Sequence, residues 1–316
     1  MSAHGKTGSV KQDNQIARLL DSSTVDDAKS TELAELSELD RDGLEGFGTA
    51  WADLDAERRR RILGRLVELA EDNVELNFNE IFKLCLNDPD EEVRAQAIAG
   101  LWEDEETALV VPLLARLQDD PSDRVRASAA SALGRFTLLG EHGKVRAELV
   151  QRMKTALLSV LNDERANEEV RRRALESLSP LSVPEVKKAI ASAYARGDER
   201  IKIGAIYAMG RNCDPEWIPI LFRELKSADA ERRFEAATAL GELGDSDAVP
   251  RLIDLGDDPD AEVRTAVLQS LGKIGGTKAK EYLQSCMSSR NESVRELARQ
   301  ALDELQGNED PLSMPL

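Results

Sequence analysis

The chain has 316 residues, 41% apolar but only 4% aromatic, with a formal net charge of −18 and a pI near 4.7. So acidic a composition disfavours general binding to nucleic acid or to anionic membranes, both of which need a basic footprint. The three cysteines, Cys85, Cys213 and Cys286, are scattered, odd in number and without CxxC spacing, which argues against a disulfide framework. Together with the lack of an apolar run of signal-peptide or membrane-spanning length, this leads us to expect a soluble cytoplasmic protein.

Residues 1–40 are rich in Ser, Thr, Asp, Gly and Lys and hold too few apolar side chains to repay ordering, so a disordered arm is expected. Within it Asn14 to Ser23 sets Ile16, Leu19 and Leu20 on one helical face. A transient helix fits this pattern, and so does a docking motif for a partner or for the protein's own groove. From Arg41 the helices begin. Leu44, Phe47 and Trp51 mark one apolar face, and Ala56 to Glu71 forms the next helix. Its run Arg58 to Arg61 covers every side of that helix, as a capping repeat with a basic edge or a local anion-binding patch would.

The rest of the chain repeats itself. The unit is an apolar anchor, then Arg or Lys, a small residue four positions on, and Leu or Met eight on. Its anchors are Val93, Val125, Val170, Ile201, Arg232, Val263 and Val294, with a weaker copy at Arg58. From Val170 onward the anchors recur every 31 residues. Positions 0, 4, 5 and 8 share one side of a helix, and position 5 is apolar until the last copy, where Arg299 looks like a solvent-facing end cap. Asp88-Pro89, Asp120-Pro121 and Asp258-Pro259 read as N-cap and first helical residue, with Ser227 and Ser289 in the same slot. Second apolar segments carrying Pro112, Pro219 and Pro250 lie between these helices. Each repeat is therefore an antiparallel helix pair that buries its apolar face only by stacking. The step from Val125 to Val170 is 45 residues, so an insertion lies in or near Phe136 to Val170, expected as a longer first helix and two longer loops. The tail 306–316, with two prolines, should fray.

The pattern D-P-x-x-x-V-R-x-x-A-x-x-A-L-G-x-[LI]-G followed by A-V-P-x-L, clearest in Asp120 to Gly134, Arg233 to Gly244 and Asp247 to Gly275, resembles HEAT and HEAT-like repeats. These include the short variety of the phycobilisome bilin lyases. The resemblance covers residues 41–305. It implies an all-α fold, an α-solenoid of about eight antiparallel helix pairs wound as a right-handed superhelix, with the anchor-bearing helices on the concave side. It also implies that the residue after each anchor, Arg94, Arg126, Arg171, Lys202, Arg233, Arg264 or Arg295, belongs to a buried structural ladder bonding neighbouring Asp side chains and carbonyls.

Enzymatic relatives of this fold leave marks that can be sought. HEAT-like diiron hydroxylases carry several His-Glu pairs, whereas this chain has two histidines, His4 and His142, and no such pair. No phosphate-cradling glycine loop follows a strand, and no plausible nucleophile has a histidine near it. No catalytic, cofactor or metal residue is therefore expected. HEAT-like DNA glycosylases need a basic, aromatic groove, and the overall charge here has the wrong sign. The middle repeats depart from the average, however. Arg172, Arg173 and Arg200 lie there with Ile203, Tyr207, Phe234 and Thr238, where positions 2 and 6 should face the concave surface. Arginines beside apolar and aromatic residues are a composition typical of protein interfaces. Ile203 and Phe234 packing against each other between repeats fits equally well. The expected role is a non-catalytic scaffold or adaptor holding a protein or peptide, with acidic ones a candidate. The alternative is an accessory subunit resembling the bilin lyases, which hold a chromophore and its acceptor protein.

Overall fold

The structure, a computed structural model, describes Ile16, Leu20 and residues 33–309. Over these residues the repeat unit folds as its spacing dictates, into two helices separated by a capped turn. The first three pairs are α1 (Arg41–Ala52) with α2 (Ala56–Asp72), α3 (Asn79–Cys85) with α4 (Glu91–Gly100), and α5 (Val110–Asp119) with α6 (Asp123–Glu141). Then come α7 (Ala147–Asn162) with α8 (Glu168–Leu178) and α9 (Pro184–Arg196) with α10 (Glu199–Asn212). The last three are α11 (Ile218–Glu224) with α12 (Ala230–Leu243), α13 (Val249–Ile253) with α14 (Ala261–Ile274), and α15 (Thr277–Cys286) with α16 (Glu292–Glu309). No strand occurs among the described residues, and the fold is an all-helical α-solenoid. The chain divides into two compact units, residues 1–136 and 137–316, with the boundary inside α6.

The helix starts differ from those expected. Asp88, Asp120 and Asp258 do not cap the helices that follow; their carboxylates accept from the backbone N–H two residues on, of Asp90, Ser122 and Asp260. Proline restricts the residue before it to extended backbone, so the Asp-Pro step forms a separate turn and the helix starts later. The caps are Asp55, Asp90, Asn167, Asp198, Asp229 and Asp260, each three residues before its anchor. Each such cap stabilises its helix by about 1 kcal/mol.

In unit 2 the second helices α8, α10, α12, α14 and α16 lie side by side in one row. Small residues permit the close approach. A Cβ added at Gly210 would sit 2.6 Å from the Ala239 Cα, one at Gly241 2.9 Å from the Ser270 Cα, and one at Gly272 3.0 Å from the Ala301 Cα. The anchors Val170, Ile201 and Val263, with positions 4 and 5 of α8, α10, α12 and α14, fill the core beneath. Trp217 is buried and donates to the Asn212 Oδ1 at 3.0 Å, while the Asn212 amide reaches the carbonyls of Ser179 and Leu181. Gly244 closes α12 at φ 69°, where a side chain would be strained. At the far end Arg299 is exposed and paired with Glu296 at 2.6 Å.

The insertion lengthens helices: α6 runs 19 residues and α7 16, against 5 for α13. In unit 1 the expected arm is not uniformly unstructured. Ile16 and Leu20 are helical and 5% and 1% exposed, and the Leu20 carbonyl accepts from the Arg58 Nε at 2.6 Å. Leu33 and Leu36 are also buried. The other residues of 1–32, Leu19 included, and residues 310–316 of the expected tail lie outside the described residues. The next two arginines of the 58–61 run are engaged in turn. Arg59 pairs with Asp88 at 3.2 Å, and Arg60 grips Asp90 through two bonds.

Candidate interaction surface

The residues after the anchors follow a rule that can be stated in sequence terms. Arg94 places Nε and Nη2 on the two Asp120 oxygens at 2.8 and 2.7 Å and gives Nη1 to the carbonyls of Asp88 and Pro89. Arg233 does the same to Asp258, at 2.8 Å for both bonds, and to the carbonyls of Ser227 and Ala228. In each case the carboxylate stands five residues before the next anchor. Where that slot holds no Asp, the ladder loses its side-chain rung. Arg264 reaches only the carbonyls of Asp258 and Pro259, because the slot ahead is Ser289. Arg295 reaches the Ser289 carbonyl, Arg126 that of Leu117 and Arg171 that of Leu161. Lys202 lies 3.5 Å from Glu199 of its own helix and bonds no neighbouring Asp among the described residues. Of the expected ladder, Arg94 and Arg233 therefore meet both an Asp of the next repeat and carbonyls, and Arg126, Arg171, Arg264 and Arg295 meet carbonyls.

Solvent reaches the row of second helices in unit 2 mainly at position 6, which reads Glu176, Tyr207, Thr238, Gln269 and Gln300 along the stack, and at the position before each anchor. Position 2 is only half open. Ile203, expected on the surface, is 7% exposed, because α10 is clasped between α8 and α12 and an apolar side chain there is taken into the seam. Phe234 and Thr238 are half-buried, Arg200 is exposed, and Tyr207 is 38% exposed.

Most arginines of this face are engaged. Arg172 gives Nε and Nη2 to Glu169 at 2.9 and 2.7 Å and Nη1 to Glu176 at 2.6 Å. Arg173 bonds Glu169 at 2.8 Å and Glu176 at 3.1 Å. The hydrogen bond from Arg172 holds the Glu169 carboxyl below its usual range, whereas burial lifts that of Glu176. Arg232 is paired with Glu199 and lies 3.6 Å from Glu224. Arg172, Arg173 and Arg232 of the central basic band foreseen from sequence are therefore paired with carboxylates on the same helices and their neighbours, whereas Arg200 is exposed.

Sequence reasoning missed Glu235, at position 3 of α12. It is half-buried, and no hydrogen bond or ion pair joins it to any described residue. Burial, then the charges of Glu176 and Glu231, push its carboxyl up to about 7. An acid at position 3, where the other second helices of unit 2 carry Arg173, Gly204, Ala266 and Leu297, was the available signal, obscured by the abundance of acids everywhere in the chain. Trp102, in the slot that other repeats fill with glycine, is 51% exposed, since α4 stops at Gly100 and the indole falls in the turn beyond. Among the described residues no His, Cys, Asp and Glu cluster could hold a metal ion, and His142 is exposed. No helix of the described residues is long and apolar enough to cross a membrane.

Comparison with known proteins agrees with this geometry. The complex of CpcE and CpcF of phycocyanin lyase from Nostoc sp. PCC7120 is similar in fold, with TM-score 0.51 and 22% identity over 72% of this chain and 88% of that one. Kap95p, in its complex with RanGDP, matches at TM-score 0.50 and 13% identity over 94% of this chain, which spans 46% of Kap95p. An engineered protein matches at TM-score 0.41 and 19% identity over 92% of this chain and 88% of that one. No curated protein matches in sequence. The family model for HEAT repeats matches residues 79–161 and 218–303, more than half of the chain, and with the stacked helix pairs it identifies the chain as a member of the HEAT-repeat family.

Proposed function

We propose that this protein is a non-catalytic scaffold or adaptor that binds another protein through the row of second helices in unit 2, in the cytoplasm, where its unpaired cysteines suit the reducing conditions. The observation carrying this reading is Tyr207, an aromatic side chain left open to solvent midway along a row whose other members are polar, with Phe234 half-open beside it. Aromatic residues held on rigid helices supply contact area at little entropic cost, and they recur as energetic centres of interfaces. Replacing Tyr207 and Phe234 together by Ala should abolish partner capture from the source organism while leaving helicity and thermal stability nearly unchanged. Unfolding of the double variant would instead assign both rings to the core.

The likeness to a phycocyanin lyase complex supports a second reading, an accessory subunit that holds a chromophore and its acceptor protein. Co-expression with a bilin source distinguishes the two, since only the second yields a coloured complex.

A further inference from the structure

The chemistry of the partner can be narrowed from the charges on this face, and the inference rests on the reading above. Two features point the same way. The cations beside Tyr207 on α8, Arg172 and Arg173, have spent their donors on Glu169 and Glu176 and offer an incoming carboxylate little. The carboxylate of Glu235 has no such partner. Tyr207 stands on α10 between α8 and α12, close enough that the charges of Arg211 on its own helix, Glu176 and Arg173 on α8 and Glu235 on α12 act on its hydroxyl. The groups acting on Glu235 are Arg172 and Glu176 from α8 and Glu231 from its own helix, with Tyr207 of α10 beside it, while α14 presents Gln269 and, before its anchor, the exposed Glu262 in its solvent-facing slots. Arg172 and Arg173 are matched by Glu169 and Glu176, and Arg211 also acts on Tyr207, so what remains beside the aromatic face is the half-buried carboxylate of Glu235, which has no partner among the described residues.

We propose that the partner presents a basic segment to this row, with a lysine or arginine side chain laid against the Tyr207 ring and its charge paired with Glu235. A cation over an aromatic face is attracted by the ring quadrupole, and a half-buried carboxylate strengthens that pull because water screens it poorly. Binding relieves the carboxyl-carboxylate repulsion that the empty face carries. An acidic segment meeting Arg172 or Arg173 would have to displace Glu169 or Glu176, each of which holds those arginines through several bonds, which leaves it the exposed Arg200 at the start of α10. A basic partner departs from the expectation of an acidic one, and a peptide series decides between the two.

The test uses the full-length chain and three labelled nonapeptides, rich in Lys and Arg, in Glu, and in Ser and Leu, at physiological salt. Fluorescence anisotropy reads affinity and amide hydrogen exchange reads location. The expected result is binding of the basic peptide alone, with slowed exchange in 199–212 and 230–243. About tenfold weaker binding is expected in Glu235→Gln and in Tyr207→Ala, with no change in Glu281→Gln, an exposed acid on α15 that controls for non-specific attraction to an acidic protein. Protection of the same helices by the Glu-rich or the neutral peptide would overturn the basic-partner proposal and leave the interaction face standing. Basic-peptide binding that protects other helices, or that Glu281→Gln weakens as much as Glu235→Gln, would overturn the proposal and count against the face. Protection by none of the three would overturn both.

Discussion

The ladder rule can be tested by completing a rung that the sequence omits. Arg264 donates Nη1 to the carbonyls of Asp258 and Pro259 at 2.5 and 3.1 Å, as Arg233 does to those of Ser227 and Ala228 at 2.9 and 3.1 Å. Its Nε and Nη2 have no partner among the described residues, because the slot filled by Asp258 for Arg233 is filled for Arg264 by Ser289. The Ser289 Oγ accepts from the Asn291 N–H at 3.2 Å, the turn bond that the Asp258 carboxylate makes to Asp260 at 2.9 Å, so Ser289→Asp keeps the turn and adds a bidentate pair. Exposed ion pairs contribute about 0–1 kcal/mol and hydrogen bonds to charged groups about 1.5–3 kcal/mol. Arg264 and Ser289 are both half-buried, which sets the expected gain near 1 kcal/mol. The opposing effect is one more negative charge on a chain of net charge −18, and salt confines that repulsion to neighbours within roughly 8 Å. Urea denaturation of Ser289→Asp in the wild-type and in an Arg264→Met background isolates the pair, and amide exchange in α16 should slow by about fivefold where Arg264 is present. An equal effect of Ser289→Asp in both backgrounds, or destabilisation beside an intact Arg264, would refute the rule.

Two further outcomes follow from the second-helix row. Gly241→Ala should destabilise by about 1–3 kcal/mol in urea melts although alanine favours helix, because its Cβ would lie 2.9 Å from the Ser270 Cα; an unchanged or raised midpoint would mean that the helices are not in close contact there. Glu235, lifted from its ordinary 4.5 to about 7 by burial and by Glu176 and Glu231, favours the native state when protonated. That contribution is complete below about pH 4.5 and is lost as pH rises through about 7. Glu235→Gln, always neutral, should therefore exceed the wild type by about 1–3 kcal/mol near pH 8 and match it near pH 4. Parallel stability-pH curves for the two proteins would contradict this.

The helix pairs and their anchors were legible because burial imposes a period, and Val93, Val170 and Val263 lie at the bottom of the core where that period puts them. The caps were misplaced by two residues, since Asp-Pro carries both turn and cap chemistry and proline decides for the turn. The true caps stood at a fixed distance before the anchors and could have been read from Asp55, Asp90, Asp198, Asp229 and Asp260 alone. On the proposed interaction face, Tyr207 is exposed as periodicity predicts, whereas Ile203 is not, because its burial depends on how tightly the flanking helices close over it. The pairing of Arg172 and Arg173 with Glu169 and Glu176 was beyond a reading that counted arginines without following the carboxylates three and four residues away on the same helix. The ordering of Ile16 and Leu20 against unit 1 shows two apolar residues outweighing the polar composition around them.

The most direct test of the central claim works even with an unidentified partner. A photo-crosslinking amino acid is introduced in vivo in the source organism at Thr238, half-open on α12, and separately at Gln284, exposed on α15. We expect irradiation to join one defined protein species to the chain labelled at 238 and none to the chain labelled at 284. Adducts formed from 284 alone, or no adduct from 238 in a correctly folded protein, would contradict the assignment of this row of helices as the binding face.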